Sequence, residues 1–191
     1  SKPECGARLR KQVDALEMSV DLLINNAGFG TQGAFEKQDA AREAEEIRLN
    51  ASAVVDLSHA FLPPMLEAKH GAIINIASSA AFQPMPYFAV YAATKAFVYS
   101  FSDALNEELR DRGIHVMAVC PGPVDTAFFE ATGVHNLRKK VPAGTMVSAE
   151  TVVEAALDGL AARSRLVVPG GLMKISATLT ALAPRDRKSV V

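Results

Sequence analysis

Three short apolar runs, set apart by long helical stretches, restrict this chain more than any other feature. VDLLINN (20–26) is ended by Asn and Gly, AIINIAS (72–78) follows about 50 residues later, and IHVMAVCPG (114–122) stops on Pro-Gly. Each run has the length and unbroken apolar character of a strand buried on both faces. Between them the period changes. Ile47, Leu49, Ala53, Val54, Leu57 and Phe61 recur by three and four within 39–66, until Pro63-Pro64 should disturb the last turns. Residues 91–113 form a long amphipathic pattern closed by Gly113. SAETVVEAALDGLAARS (148–164) predicts a helix with Ser148 as N-cap, and RLVVPG (165–170) predicts a fourth strand. Strands alternating with helices imply right-handed crossovers and a parallel sheet. The expectation is a single α/β domain across residues 1–191, with the unpatterned residues 127–147 as a substrate lid.

Composition matters here for what it excludes. Lys plus Arg number 20 against 21 Asp plus Glu, a net charge of −1, which offers no footprint for nucleic acid or an anionic membrane surface. The two cysteines, Cys5 and Cys120, form no CxxC or Cys/His pattern, so no structural metal is expected. No apolar run reaches the roughly 18 residues of a membrane helix, and the polar start SKPECGARLR is unlike a signal peptide. The chain reads as soluble and cytoplasmic.

Gly28, Gly30 and Gly33 spell GxGxxG directly after the first apolar run, which raises the question of a phosphate-binding loop. Such a loop needs a helix opening at its last glycine and an acidic residue about 20 positions on, at the tip of the next strand. After Gly33 the chain continues AFEKQDAAREAEEI, polar in its first half, and the acidic position falls near Asp56, inside a helical pattern. The motif fails on context and reads as turn glycines.

Tyr91 and Lys95 carry a stronger signal. Spacing i to i+4 places both on one helix face, about 6 Å apart along the axis. An ammonium beside a phenol favours the phenolate. Lowering a tyrosine from about 10 to near 7 takes roughly 4 kcal/mol, and a charge at about 4 Å supplies roughly that at an effective dielectric of 20. Ser78 and Ser79 stand at the carboxyl end of the second strand, where ligands bind in open α/β sheets. The first and third strands end in Asn-Asn-Ala-Gly and Cys-Pro-Gly, so three strand ends converge on one edge with turn residues that let a ligand approach the backbone.

Taken in order, DLLINNAG (21–28), IRLN (47–50), IINIASSAA (73–81), YAATKA (91–96) and CPGPVDT (120–126) resemble the short-chain dehydrogenase/reductase family from about residue 20 to about 170. The resemblance implies a Rossmann-like doubly wound parallel sheet and an oxidoreductase that interconverts a hydroxyl and a carbonyl with NAD or NADP. It implies that Tyr91 is the acid or base, that Lys95 lowers its pKa and binds the nicotinamide ribose, and that Ser78 polarises the substrate carbonyl. Asn50 would hold a water linking Lys95 to solvent. Asn26, Ala27 and Gly28 would border the adenosine side of the cofactor, while Pro121, Gly122, Val124 and Thr126 would flank the nicotinamide. A small carbonyl or alcohol substrate and a homodimer or homotetramer, built through helices at about 40–68 and 91–112, also follow from the resemblance. Without it, Asn50 reads as a solvated helix residue, Pro-Gly as a plain strand stop, and Cys120 as a small buried hydrophobe.

The chain departs from the family in one respect. The phosphate loop TGxxxGxG precedes the Asn-Asn-Ala-Gly strand, yet only about 20 residues do so here, with Gly6 their single glycine. The first one or two βα units are therefore expected in a segment ahead of residue 1. Two rival functions stand beside the oxidoreductase: a non-catalytic truncated relative serving as a binding or assembly module, and a nucleotide-sugar epimerase or dehydratase, which would need a larger C-terminal region.

Overall fold

A computed structural model of the chain describes residues 4–126, 128, 141 and 145–170. Its elements run α1 (Cys5–Ala15), β1 (Leu22–Asn25), α2 (Ala40–Ile47), α3 (Ala53–Ala68), β2 (Gly71–Ile76), α4 (Ala89–Leu109), β3 (Ile114–Val119), α5 (Ala149–Ala161) and β4 (Leu166–Val167). The four strands are parallel in the order β1-β2-β3-β4, with Leu22 opposite Ala72 and Gly71 opposite Ile114.

Strand alternation divides the apolar side chains between two layers. Leu23, Ile73 and Val116 point to the face covered by α3 and α4, where Phe61, Met65 and Leu109 close the core. Ile74, Met117 and Val119 point to the other face, against Ala156 and Val152 of α5. Helices on both faces make the sheet doubly wound, as the alternation of elements predicts. All six residues of β3 are buried. On β1, Leu22 and Ile24 face away from α3 and are 37% and 53% exposed.

Several boundaries differ from the sequence reading. α1 was not anticipated; its start is fastened by Asp56 of α3, which accepts from the Gly6 N–H at 2.9 Å and the Cys5 thiol at 3.0 Å. The helical pattern at 39–66 is broken by a π-turn at Arg48–Ser52 rather than by the prolines. α3 runs through Pro63-Pro64 to Ala68. Phe61 and Met65, each 2% exposed, bury against the sheet, and roughly 1.5–3 kcal/mol for each such side chain offsets the lost helical bonds. Of the expected lid, residues 127, 129–140 and 142–144 lie outside the described residues, and with them Phe129, Val134, Leu137 and the Arg138-Lys139-Lys140 cluster.

A buried polar ladder crosses the sheet into α4. Asn25 Nδ2 donates to Asn75 Oδ1 at 2.8 Å, Asn75 Nδ2 donates to Ser102 Oγ at 2.9 Å, and Ser102 Oγ donates to the Val98 carbonyl at 2.6 Å.

Candidate active site

The carboxyl ends of β1, β2 and β3 open on a pocket of about 820 Å³. Its walls include Asn26, Gly28, Ser78, Tyr91, Lys95, Pro121, Gly122, Val124 and Thr126, so nearly all the residues anticipated from sequence gather in one place. Ala27 does not line it, and Asn50 lies behind the wall.

Each site residue is placed by local structure. Ser78 follows β2 in extended backbone and caps the 3₁₀ turn Ser79–Phe82, its hydroxyl accepting from the Ala80 N–H at 3.1 Å. The next N–H, of Ser79, donates to the Pro121 carbonyl at 2.8 Å, which joins the ends of β2 and β3. Tyr91 and Lys95 lie one turn apart on α4 and face the same pocket. Lys95 is 6% exposed, and its Nζ donates to the Ile76 carbonyl at 2.8 Å. Val124 bridges to Val147, which carries the chain from the pocket to Ser148, the cap of α5 whose hydroxyl accepts from the Thr151 N–H.

Asn50, far from being solvated, is 1% exposed inside the π-turn. Its Oδ1 accepts from the Phe29 N–H at 3.1 Å, and its Nδ2 donates to the Phe29 carbonyl at 2.8 Å and to Thr94 Oγ1 at 3.1 Å. The amide thus clasps the loop after β1 and ties it to α4. Gly28 lies directly over this arrangement: a Cβ there would meet Asn50 Oδ1 at 2.9 Å and Lys95 Nζ at 3.4 Å.

Burial is the largest influence on both members of the Tyr91–Lys95 pair. It pushes Tyr91 up to about 12, opposed by Ser78 and reinforced by Glu46. Burial also pulls Lys95 down to about 8. The lysine ammonium sits 5.8 Å from the tyrosine ring centroid and is bonded to the Ile76 carbonyl. Cys120, fully buried, is likewise driven up to about 12 by burial, which makes it an inert thiol.

Two features escaped sequence reading. Gly30 packs against Tyr91, where a Cβ would meet ring atom Cδ2 at 2.9 Å. Glu46 is fully buried beside the same loop. The GxGxxG glycines do not open a helix: a 3₁₀ turn follows at Phe35–Lys37, and α2 starts only at Ala40.

The family model for short chain dehydrogenases matches residues 2–136. The chain belongs to the short-chain dehydrogenase/reductase family. It is 34% identical over 147 residues to the uncharacterized oxidoreductase DltE of Bacillus subtilis, covering 74% of this chain and 56% of that protein. It is 33% identical over 162 residues to the very-long-chain 3-oxoacyl-CoA reductase of Rattus norvegicus, covering 83% of this chain and 49% of the relative. Among solved structures, a short-chain dehydrogenase from Sphingobium yanoikuyae in complex with NADPH superposes with a TM-score of 0.81 at 32% identity, covering 95% of this chain and 70% of that one. The chain thus spans about half the length of these two curated relatives. Among the described residues of this short-chain dehydrogenase/reductase, no helix is long and apolar enough to cross a membrane.

Proposed function

We propose that this chain is the catalytic part of an NAD(P)-dependent oxidoreductase that interconverts an apolar ketone and its secondary alcohol. The observation that carries the reading is that Ser78, Tyr91 and Lys95 line one pocket at the carboxyl ends of β1, β2 and β3. A non-catalytic relative has no need of such a buried polar set, each member of which costs desolvation.

The pocket fits the nicotinamide end of the cofactor. Gly28 leaves open the space that a Cβ would fill beside Lys95, and Gly122, Val124 and Thr126 border the same cavity. Lys95 would bond the ribose, with Asn26 and Gly28 at the adenosine side. When bound, the reduced cofactor supplies a hydride to the carbonyl carbon. Ser78 Oγ then donates to the substrate oxygen and fixes its direction, while Tyr91 Oη gives that oxygen its proton. A phenol held near 12 stays protonated at neutral pH, the form that reduction needs; the reverse reaction needs the phenolate and gains from higher pH. Asn50, through its hold on Phe29 and Thr94, keeps the loop and α4 in register, and a water beside it would relay protons from Lys95 to solvent.

Met85, Phe88, Phe128, Val141, Val152 and Val153 are among the pocket's other walls, which favours apolar groups flanking the carbonyl. Phe97 and Ile47, 45% and 46% exposed on α4 and α2, support association with a second copy. We place the protein in the cytoplasm, where its two free cysteines stay reduced.

A panel of apolar ketones run with NADH and NADPH on the full-length protein, parent against Tyr91→Phe, tests the reading. The variant should lose turnover by a factor of about 10³ or more and keep its cofactor affinity. Parental turnover in the variant would overturn the mechanism.

A further inference from the structure

Behind the Tyr91 ring stands a short wall, residues 29–33, fixed at three points. Asn50 clasps Phe29 at one end, and the Tyr87 carbonyl accepts from the Gly33 N–H at 2.9 Å at the other. The middle tie is Glu46 of α2: its Oε2 accepts from the Thr31 N–H at 2.9 Å and from the Thr31 hydroxyl at 2.7 Å. Glu46 is fully buried, and its Oε1 has no partner. A glutamate rarely goes fully buried unless it is paired, because an unpaired carboxylate in the interior costs several kcal/mol.

We propose that Glu46 is a positioning residue for Tyr91, tying down the turn that backs the tyrosine ring. Gly30, the neighbour of Thr31 in that turn, packs against the ring, so the two bonds that Thr31 makes to Glu46 fix the surface on which it rests. Burial raises the Glu46 carboxyl while the Thr31 bonds lower it, and on its own helix Glu43 raises it and Arg42 lowers it.

The test uses E46Q and E46A in the full-length protein. A glutamine oxygen still accepts both Thr31 bonds, so E46Q removes charge and keeps the tie; E46A removes both. The Tyr91 ring signals, assigned in NMR spectra by their loss in Tyr91→Phe, should shift in E46A and stay near the parent's in E46Q. In E46A, kcat for ketone reduction should fall about tenfold or more with the cofactor KM within about twofold. E46Q should recover most of that kcat. An unmoved Tyr91 ring signal in E46A, or parental kcat in E46A, would overturn the proposal. The kinetic arm rests on the oxidoreductase reading and the ring signals do not, so a parent protein without reductase activity defeats that reading while the NMR arm still decides the role of Glu46.

Discussion

Replacing Gly30 by alanine adds one methyl group against the Tyr91 ring, and the structure allows its effect to be worked out. The new Cβ would lie 2.9 Å from Tyr91 Cδ2 and 3.2 Å from Phe128 Cζ, whereas carbon atoms in contact sit about 3.5–4.0 Å apart. The ring must therefore retreat by roughly 0.6–1 Å. It has little room, with Phe128 at 5.3 Å and Phe88 at 5.9 Å between centroids. A misplacement of that size can cost about 100-fold in rate, so kcat should fall by about 10- to 100-fold. Stability should fall by at most about 2–3 kcal/mol. Alanine restricts the unfolded chain, a gain of about 0.4–1 kcal/mol, against an overpacking cost of about 1–3 kcal/mol. Steady-state kcat with a saturating apolar ketone, measured beside a urea unfolding curve, separates the two effects. A Gly30→Ala protein with parental kcat would refute the claim that this loop holds the tyrosine ring in place.

Two further outcomes concern stability. Burial holds the His115 imidazole below its ordinary value near 6.5, helped by the Arg163 charge and opposed by the Ser164 backbone. The unfolded chain therefore takes up this proton first; the contribution is complete above about pH 6.5 and is lost as pH falls from there toward the depressed folded value. Urea midpoints at pH 8 and pH 5 should differ less in His115→Leu than in the parent, and equal pH dependence in both would count against this. Gly113 stands at φ 80, and a Cβ there would come within contact of the Lys69 carbonyl, a backbone atom that cannot swing aside. Gly113→Ala should cost about 3 kcal/mol or more in chemical unfolding, and a loss below about 1 kcal/mol would contradict the geometry.

Much of this arrangement was legible in the sequence because it rests on pattern. Apolar runs ended by turn residues mark β1, β2 and β3, and the i, i+4 spacing puts Tyr91 and Lys95 on one face of α4. What remained hidden depends on contacts between distant segments. Nothing local distinguishes Glu46 from Glu43 or Glu45; only the meeting of α2 with Thr31 buries it. Asn50 reads as a solvated amide until the π-turn directs it toward Phe29. Spacing fixes the distance from the tyrosine to the lysine but not their desolvation, which depends on what packs around the pair. α1 escaped because its partner, Asp56, lies about 50 residues away.

The Asn25–Asn75 amide pair also has a bearing on how the chain assembles. Asn25 and Asn75 are direct partners across β1 and β2, with Ile24 opposite Ile74 on one side. A slip of the strands by one residue would oppose an amide to isoleucine and leave two buried polar groups stranded, at a cost of about 1–3 kcal/mol each. It would also slide Asn26 past Ser78 by about 3.3 Å, far enough to dismantle the pocket. The pair therefore works as a proofreading key: a sheet that zips up out of step is penalised before the pocket can form, and only a correctly threaded chain acquires a site.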